Sequence, residues 1–579
     1  MFAVIGKLGW FFKEHKTRYL IGLTMLIGVG VLELVPPRLL GQALDDIVYG
    51  TITWESLTRY IVYILLSMVL IYGITYVWMY NLFGGAFLVE RKLRSKLMGH
   101  LLKMTPTFFE KNRTGDLMAR ATNDLRSVSQ TAGYGMLLIT DSTIFLLTVF
   151  FAMIFLIHWK LTLMALLPLP IIAIGMKVFG KKIHERYTIA QDAFGKMNDQ
   201  VLESVGGVRV LRAYVQEKQD EQRFRDTTHD VYKKNMSVAK IDALFEPTIS
   251  FSIGLSYMIG IVYGAYLIIH NELTLGQLLA FNMYLGMMIW PMFAIGDLIN
   301  VMQRGNASID RVNEVLHYKP DVQDEQGTTD VTVPETFVWK DYLFRYPSST
   351  VNNLEQFSLS LRKGQTLGIV GRTGSGKSTF MKQLLREYPV GEGQFRINGV
   401  PVDRLPLDRI HSWIGYVPQE QILFSKTVQQ NILYGNTDAD TETVLQAIET
   451  ASFTQDLPTL AQGLETLVGE KGVALSGGQK QRVSLARAFI ANPEILLLDD
   501  ALSAVDARTE ANIIRNIREQ RSGKTTLITT HRLSAIEHAD WIIVLDDGRI
   551  VEQGTHEQLV AHGGWYKEQF ERQQMESSL

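Results

Sequence analysis

The sequence predicts a multi-domain membrane protein: an all-α transmembrane domain of six helices, followed by an α/β domain built on a mainly parallel sheet. Three observations carry this. Residues 17–302 hold apolar runs separated by charged stretches, each about the 20 residues that a bilayer requires. After residue 330 the pattern changes to short β-rich runs alternating with amphipathic helical ones. Within that second pattern a glycine-rich loop joins an apolar strand to a helix. The 579 residues suffice for more than one domain. Lys plus Arg is 57 and Asp plus Glu is 59, a net charge of −2, which gives no general attraction to nucleic acid. A hydrophobic share of 47% excludes low-complexity disorder. The absence of cysteine excludes disulfides, thiolate metal sites and a cysteine nucleophile.

Six spans are expected, near residues 19–40, 59–84, 130–157, 161–180, 243–269 and 275–301. Runs such as Ser142–Trp159 and Met258–Ile269 are apolar on every face, as lipid contact demands. Pro168 and Pro170 in the fourth span, and Pro291 in the sixth, kink a helix without excluding it. The segments 41–58, 158–160 and 270–274 are short, with Lys160 their only Lys or Arg. Segments 85–129 and 181–242 are long and basic. By the positive-inside rule these two, and both termini, face the cytoplasm. Their helical periodicity fits helices that continue past the bilayer and turn back. In residues 1–16, Phe2, Ile5, Leu8 and Phe12 alternate with Lys7, Lys13 and Lys16. That predicts an interfacial helix rather than a cleaved signal. The acidic residues inside the spans are Glu33, Asp141, Glu246 and Asp297. Such charges are costly in hydrocarbon and are candidates for substrate contact. Met287 and Trp290 lie in a Met- and aromatic-rich stretch of the sixth span, a surface that adapts to varied ligands.

A helix to about His317 closes the membrane domain (1–318), residues 319–330 read as a linker, and 331–579 form the second domain. The run Gly371-Arg372-Thr373-Gly374-Ser375-Gly376-Lys377-Ser378, continued by Thr379, matches G-x-x-x-x-G-K-S/T. It follows the apolar strand Thr366–Val370 and opens a helix. Its backbone N–H groups suit phosphate oxygens, Lys377 suits the β- and γ-phosphates, and Ser378 suits Mg²⁺. A second apolar strand, 494–499, ends in Asp499, placed to act on Mg²⁺. Between them, Leu475-Ser476-Gly477-Gly478-Gln479 offers another N–H-rich helix start.

Taken in this order, the motifs make the chain resemble a half-transporter of the ATP-binding cassette superfamily with an exporter-type membrane domain. The resemblance covers nearly the whole chain. It implies ATP and Mg²⁺ as cofactors. It implies that Tyr346 stacks on adenine, that Gln419 senses Mg²⁺ and the γ-phosphate, and that His531 contacts the γ-phosphate. It implies that Ser503-Ala504-Val505-Asp506 is the D-loop and Gly469-Glu470-Lys471-Gly472 a loop that links coupling helices to the nucleotide domains. It further implies a dimer in which each ATP lies between one chain's Walker motifs and the other chain's residues equivalent to Leu475–Gln479. The stretches Phe108–Leu117 and Val208–Phe224 resemble the two coupling regions.

One position departs from the family. The catalytic glutamate after the Walker B aspartate is here Asp500, one methylene shorter. A displacement near 1 Å can lower a rate by about 10²-fold, so slow hydrolysis is expected at this chain's own site. Lys377, Ser378, Asp499 and the signature are intact. That combination resembles the Asp-carrying, BmrC-like half of heterodimeric multidrug exporters of Gram-positive bacteria. The expected function is ATP-driven export of amphipathic compounds across a bacterial plasma membrane, with a second half-transporter chain as partner. A homodimeric exporter of lipid, peptide or siderophore, and a nucleotide-gated regulator or channel, are the alternatives. The residues that carry hydrolysis would be Asp500, His531 and Gln419.

Overall fold

The computed structural model describes residues 3–324, 329–469, 472 and 474–578. The chain divides into two compact units: Met1–Gly99 with Leu117–His317, and His100–Asp116 with Tyr318–Leu579. The boundary differs from the sequence reading in one respect. Segment 100–116 groups with the second unit because Phe108, on the short helix Pro106–Lys111, is buried against the Tyr318 ring at 4.9 Å. On the same helix, Glu110 accepts hydrogen bonds from Tyr388 at 2.6 Å and Ser348 at 3.1 Å.

The first unit is helical. Among the described residues five helices are long and apolar enough to cross a membrane: Lys16–Val48, Trp54–Leu101, Thr114–Ile157, Glu217–Ile269 and Leu275–His317. The expected fourth span, 161–180, is helical with a kink at its prolines. Trp159–Leu166 ends at Leu167-Pro168 and the chain resumes as Leu169–Gly206, because Pro168 and Pro170 lack the N–H groups a continuous ladder needs. Prolines mark two more breaks: Lys16–Leu32 gives way to Val35–Val48 at Pro36-Pro37, and Leu275–Met287 to Ile289–His317 near Pro291. Trp54–Leu101 has 48 residues, roughly 72 Å at 1.5 Å per residue. Only 11% of its apolar window is buried within the chain, so lipid or a second chain must cover the rest. Thr114–Ile157 is relaxed by π-turns, one of them Thr140–Phe145.

The second unit holds two sheets. Strands β1 (Thr336–Phe344), β2 (Leu354–Arg362), β4 (Glu392–Ile397) and β5 (Val400–Pro401) pair antiparallel in the order β2-β1-β4-β5. Strands β3 (Thr366–Gly371), β6 (Ile414–Val417), β7 (Ile495–Asp499), β8 (Thr525–Thr529), β9 (Trp541–Asp546) and β10 (Arg549–Gly554) form the order β10-β9-β3-β8-β7-β6. This sheet is parallel except at β10. The sequence reading foresaw the parallel sheet and not the separate antiparallel one. β7 and β8 are buried at every residue, as central strands covered on both faces must be. Because β3 and β7 flank β8, their carboxyl ends lie side by side. That edge is where ligands bind in open parallel sheets.

Candidate functional site

The loop after β3 is shaped by its glycines. Gly371, Gly374 and Gly376 have φ of 149°, 85° and 102°, a region that L side chains rarely enter. A Cβ at Gly376 would stand 2.7 Å from the Asn353 carbonyl oxygen. The turn delivers the chain into the helix Lys377–Leu384. Lys377 is 9% exposed, and its Nζ donates to the carbonyls of Gly371 (2.9 Å) and Arg372 (2.8 Å). Burial holds this ammonium below the usual lysine range, against the opposing pull of Asp500 and Asp499. The neighbouring Ser375 Oγ is buried without a hydrogen-bond partner. A glycine-rich turn with an ammonium and an orphaned hydroxyl, leading into a helix N-terminus, is a fit for phosphate.

Ser378 Oγ donates to Asp499 Oδ1 at 3.0 Å. Thr529 Oγ1 donates to the same oxygen at 2.7 Å and accepts from the Asp500 N–H at 3.0 Å. Thr529 therefore holds both carboxylate residues in place; the sequence reading missed it. The signal was present, since β8 pairs in parallel with β7 and sets Thr529 opposite Asp499. Asp500 has φ 49°, a left-handed conformation that aspartate tolerates better than most residues. Burial raises its carboxyl above the usual range and Asp499 adds to the rise; His531, Lys377 and Arg532 oppose it. Two oxygen ligands, Ser378 and Asp499, suit Mg²⁺, which takes few protein ligands beside phosphates. No group of three or more His, Cys, Asp or Glu able to hold a metal occurs among the described residues.

Tyr346 is half-buried. Its hydroxyl donates to Thr379 Oγ1 at 3.0 Å, and its ring packs edge-on to Tyr388 at 4.8 Å. Gln419 and His531 are exposed, and their backbone carbonyls accept from Gln421 and Gln573. Gly469 and Gly472 have positive φ; Glu470 and Lys471 lie outside the described residues.

The signature occupies the start of a second helix, Gly477–Ile490. Ser476 caps it, accepting from the Gln479 N–H at 3.3 Å, while Gln479 Oε1 accepts from the Ser476 N–H at 3.0 Å. This reciprocal box follows from the Ser-x-x-Gln spacing. Leu475 is buried beneath it, and Gly478 passes so near the Ala504 carbonyl that a Cβ would stand 3.0 Å away. Gln481 is fully buried; it accepts from the Ala504 N–H at 2.9 Å and reaches the Asp500 carbonyl at 3.4 Å. Arg482 grips Asp456 with two bonds of 2.8 Å. Asp506 caps the helix Ala507–Gln520 through the Thr509 N–H at 3.0 Å, and Ser503 Oγ donates to the Asp500 carbonyl at 2.9 Å. Arg532 ties the same loop down, donating to Val505 O and to buried Glu510. Gln481, Arg482, Asp456, Arg532 and Glu510 carry no motif of their own that would have marked these partners.

Of the six residues singled out in the membrane spans, Glu33, Asp141 and Trp290 line one cavity. Asp297 is exposed and accepts from Tyr134 at 3.5 Å, Glu246 is exposed beside Ser250, and Met287 packs into an apolar cluster. Those three do not join the cavity.

A membrane-spanning helical unit joined to a phosphate-binding α/β unit with a signature helix defines an ATP-powered transporter subunit. Residues 19–292 match the family described as the ABC transporter transmembrane region, and residues 354–503 match the ABC transporter family. The chain is 61% identical over 575 residues to a probable multidrug resistance ABC transporter ATP-binding/permease protein, YheI of Bacillus subtilis, covering 99% of this chain and 98% of that one. It is 40% identical over 583 residues to the multidrug resistance-like ATP-binding protein MdlA of Escherichia coli, covering 100% and 98%. A bacterial Atm1-family ABC exporter solved with ATP bound superposes with TM-score 0.79 at 25% identity, covering 96% and 98%. The chain belongs to the ABC transporter family; it is an ATPase-coupled exporter subunit with a multi-span membrane domain.

Proposed function

We propose that this chain is the Asp-carrying half of a heterodimeric exporter of amphipathic compounds, with both termini cytoplasmic. The observation that carries the reading is Asp500 beside an intact Leu475–Gln479 signature. The names of the Bacillus and Escherichia relatives support drugs as the substrate class. Gly371–Thr379 would hold the phosphates of ATP, with Tyr346 against the base. Ser378, Asp499 and Gln419 would hold Mg²⁺, which when bound neutralises charge on the transferred phosphoryl group.

The asymmetry follows from the residues' own tasks. A general base must reach the attacking water, and a well-placed one contributes about 10²–10⁴-fold. Asp500 is one carbon short of the family's glutamate, and it is anchored by its backbone to Thr529. Lys377, Ser378 and Asp499 bind rather than abstract a proton, so this chain's own site would retain ATP. Ser476, Gly477 and Gly478 would present N–H groups to the ATP held by the partner chain, where turnover takes place. The Ser503–Asp506 loop, tied to Asp500 and to the signature helix, joins the two tasks. ATP binding would close the two nucleotide domains, and hydrolysis at the partner's site would reopen them.

The test is ATP hydrolysis by the chain purified alone, beside its Asp500→Glu variant and beside the complex with its co-purified partner. The expected result is near-zero turnover alone, little rescue by glutamate, and activity in the mixed complex. Robust turnover by the chain alone would establish a homodimer and overturn the heterodimer.

A further inference from the structure

The segment Thr530-His531-Arg532-Leu533 leaves the carboxyl end of β8 and is tied down on three sides. Toward the Walker strand, the Thr530 N–H donates to the Ile369 carbonyl at 3.3 Å. Toward the Ser503–Asp506 loop, Arg532 donates to the carbonyls of Val505 (3.0 Å) and Ser503 (3.3 Å). The third tie comes from the last described helix, Trp565–Ser578. Gln573 Nε2 donates to the His531 carbonyl at 2.7 Å, and Gln573 Oε1 accepts from the Leu533 N–H at 2.9 Å. One planar carboxamide thus grips the peptide groups on both sides of Arg532.

The helix that carries Gln573 has a fixed seat. At its start, Glu552 on β10 accepts from the N–H groups of Trp565 (2.6 Å) and Tyr566 (3.3 Å), where a carboxylate also complements the helix dipole. Tyr566 is fully buried, and its ring lies parallel to that of Phe570. Spacings of four and three place Tyr566, Phe570 and Gln573 on one face of the helix, so the seat of the two rings sets where the carboxamide stands. His531 itself is exposed, and it stands near enough to Asp500 to draw that carboxyl downward. Its imidazole makes no hydrogen bond among the described residues, so the loop backbone sets its direction. Groups that meet a ligand need such outer hydrogen bonds to hold them within a fraction of an ångström. We infer that Gln573 is a positioning residue: through the His531 and Leu533 peptides it aims His531 at the γ-phosphate of the ATP held by this chain's own Walker motifs. The inference rests on the proposed reading of His531 as a γ-phosphate contact, and it adds a support from a helix outside every nucleotide motif.

The test is displacement of a fluorescent ATP analogue by adenylyl imidodiphosphate and by ADP, with Mg²⁺ present. The complex with the co-purified partner is used, and the partner's site is disabled so that only this chain's site reports. Gln573→Met keeps the length of the side chain and removes both hydrogen bonds. It should weaken imidodiphosphate binding about fivefold and change ADP affinity less than about twofold, because ADP lacks the phosphate that His531 would meet. His531→Ala should weaken imidodiphosphate binding at least as much. The double variant should lose no more than His531→Ala alone, the mark of one residue acting through another. Arg572→Ala, which alters an exposed residue of the same helix, should leave both affinities unchanged. Retained ADP affinity reports folding of each variant. Equal losses for the two nucleotides would make Gln573 a structural contact alone and overturn the inference, as would additive losses in the double variant. A loss in His531→Ala with none in Gln573→Met would remove the positioning role and leave the reading of His531 standing. No loss in His531→Ala would remove both.

Discussion

The Walker side and the signature side of the nucleotide-binding unit are built on opposite principles. On the Walker side, the groups that would meet ATP stand on a loop of positive-φ glycines, and Asp500 stands where the family resemblance implies a glutamate base. On the signature side the motif is intact, capped by its own residues and anchored by the buried Asp456–Arg482 pair. On the proposed function, turnover would depend on one atom reaching water, and the signature would present a helix end to a ligand held elsewhere. A chain that contributes to catalysis in a partner's site must keep the second and can let the first drift.

The largest effect expected concerns the anchor. Asp456 and Arg482 are only 12% and 10% exposed at their side chains. Removing one member of a buried ion pair typically costs about 3–5 kcal/mol. Asp456→Ala should therefore lower the stability of the signature region by an amount visible in denaturant unfolding. Asp456→Asn, which keeps one acceptor, should lower it less. An Asp456→Ala chain as stable as the unmodified one would show that the signature is not held this way.

Next comes the signature itself. In the mixed complex, Ser476→Ala with Gly477→Asp should lower ATP hydrolysis by about 10²–10³-fold, the loss seen when a preorganised donor to a transition state is removed. Asp500→Asn in the same complex should change it less than about threefold, because on the proposed function that carboxylate would serve the slow site. Equal losses from both substitutions would erase the distinction between the two sides.

The reciprocal change is smaller. Asp500→Glu lengthens the side chain toward the water, and up to about 10²-fold is available if position alone is limiting. The backbone opposes it: at φ 49° a glutamate is less at ease than an aspartate. The net gain at this chain's own site should be closer to tenfold, measured as single-turnover cleavage with the partner's site disabled. No gain would mean that another group besides the base limits the site.

The parts legible in the sequence are those whose residues dictate their own backbone. Gly371, Gly374 and Gly376 demand positive φ, and Ser476 with Gln479 spells out its cap. Prolines 168 and 170 announced a kink, and the ladder loosens between Leu166 and Leu169 while Leu167 and Pro168 keep right-handed helical dihedrals. The antiparallel sheet was not separated from the parallel one, because alternation in β1 and β2 states that a face is buried and not against what. The site's supports were hidden for the same reason. Thr529 lies 30 residues from Asp499, and Arg482 lies 26 from Asp456. No local spacing marks either pair; only the strand order and the helix packing bring them together. Of the residues proposed for substrate contact, charge in an apolar run marked four and a Met- and aromatic-rich stretch two more, and only the fold could show that Glu33, Asp141 and Trp290 share a wall.

The smallest effect tests whether the Walker side communicates beyond itself. Tyr346 packs edge-on to Tyr388, and Tyr388 donates at 2.6 Å to Glu110 on the helix Pro106–Lys111. The proposed site for the base, Tyr346, and the turn between the second and third helices are thereby two contacts apart. Burial and then Glu110 push the Tyr388 phenol upward, so it stays protonated and donating across neutral pH. Glu110 is exposed, which limits the bond to about 1 kcal/mol. Tyr388→Phe keeps the ring and removes the donor. Its expected signature is a fall of roughly fivefold in compound transported per ATP hydrolysed, with ATP affinity unchanged and no dependence on pH between 6 and 8. Glu110→Gln, which still accepts, should lose less than Tyr388→Phe. A fall in ATP affinity at constant coupling would instead place Tyr388 among the groups that hold the base, and the Walker side would then end at its own pocket.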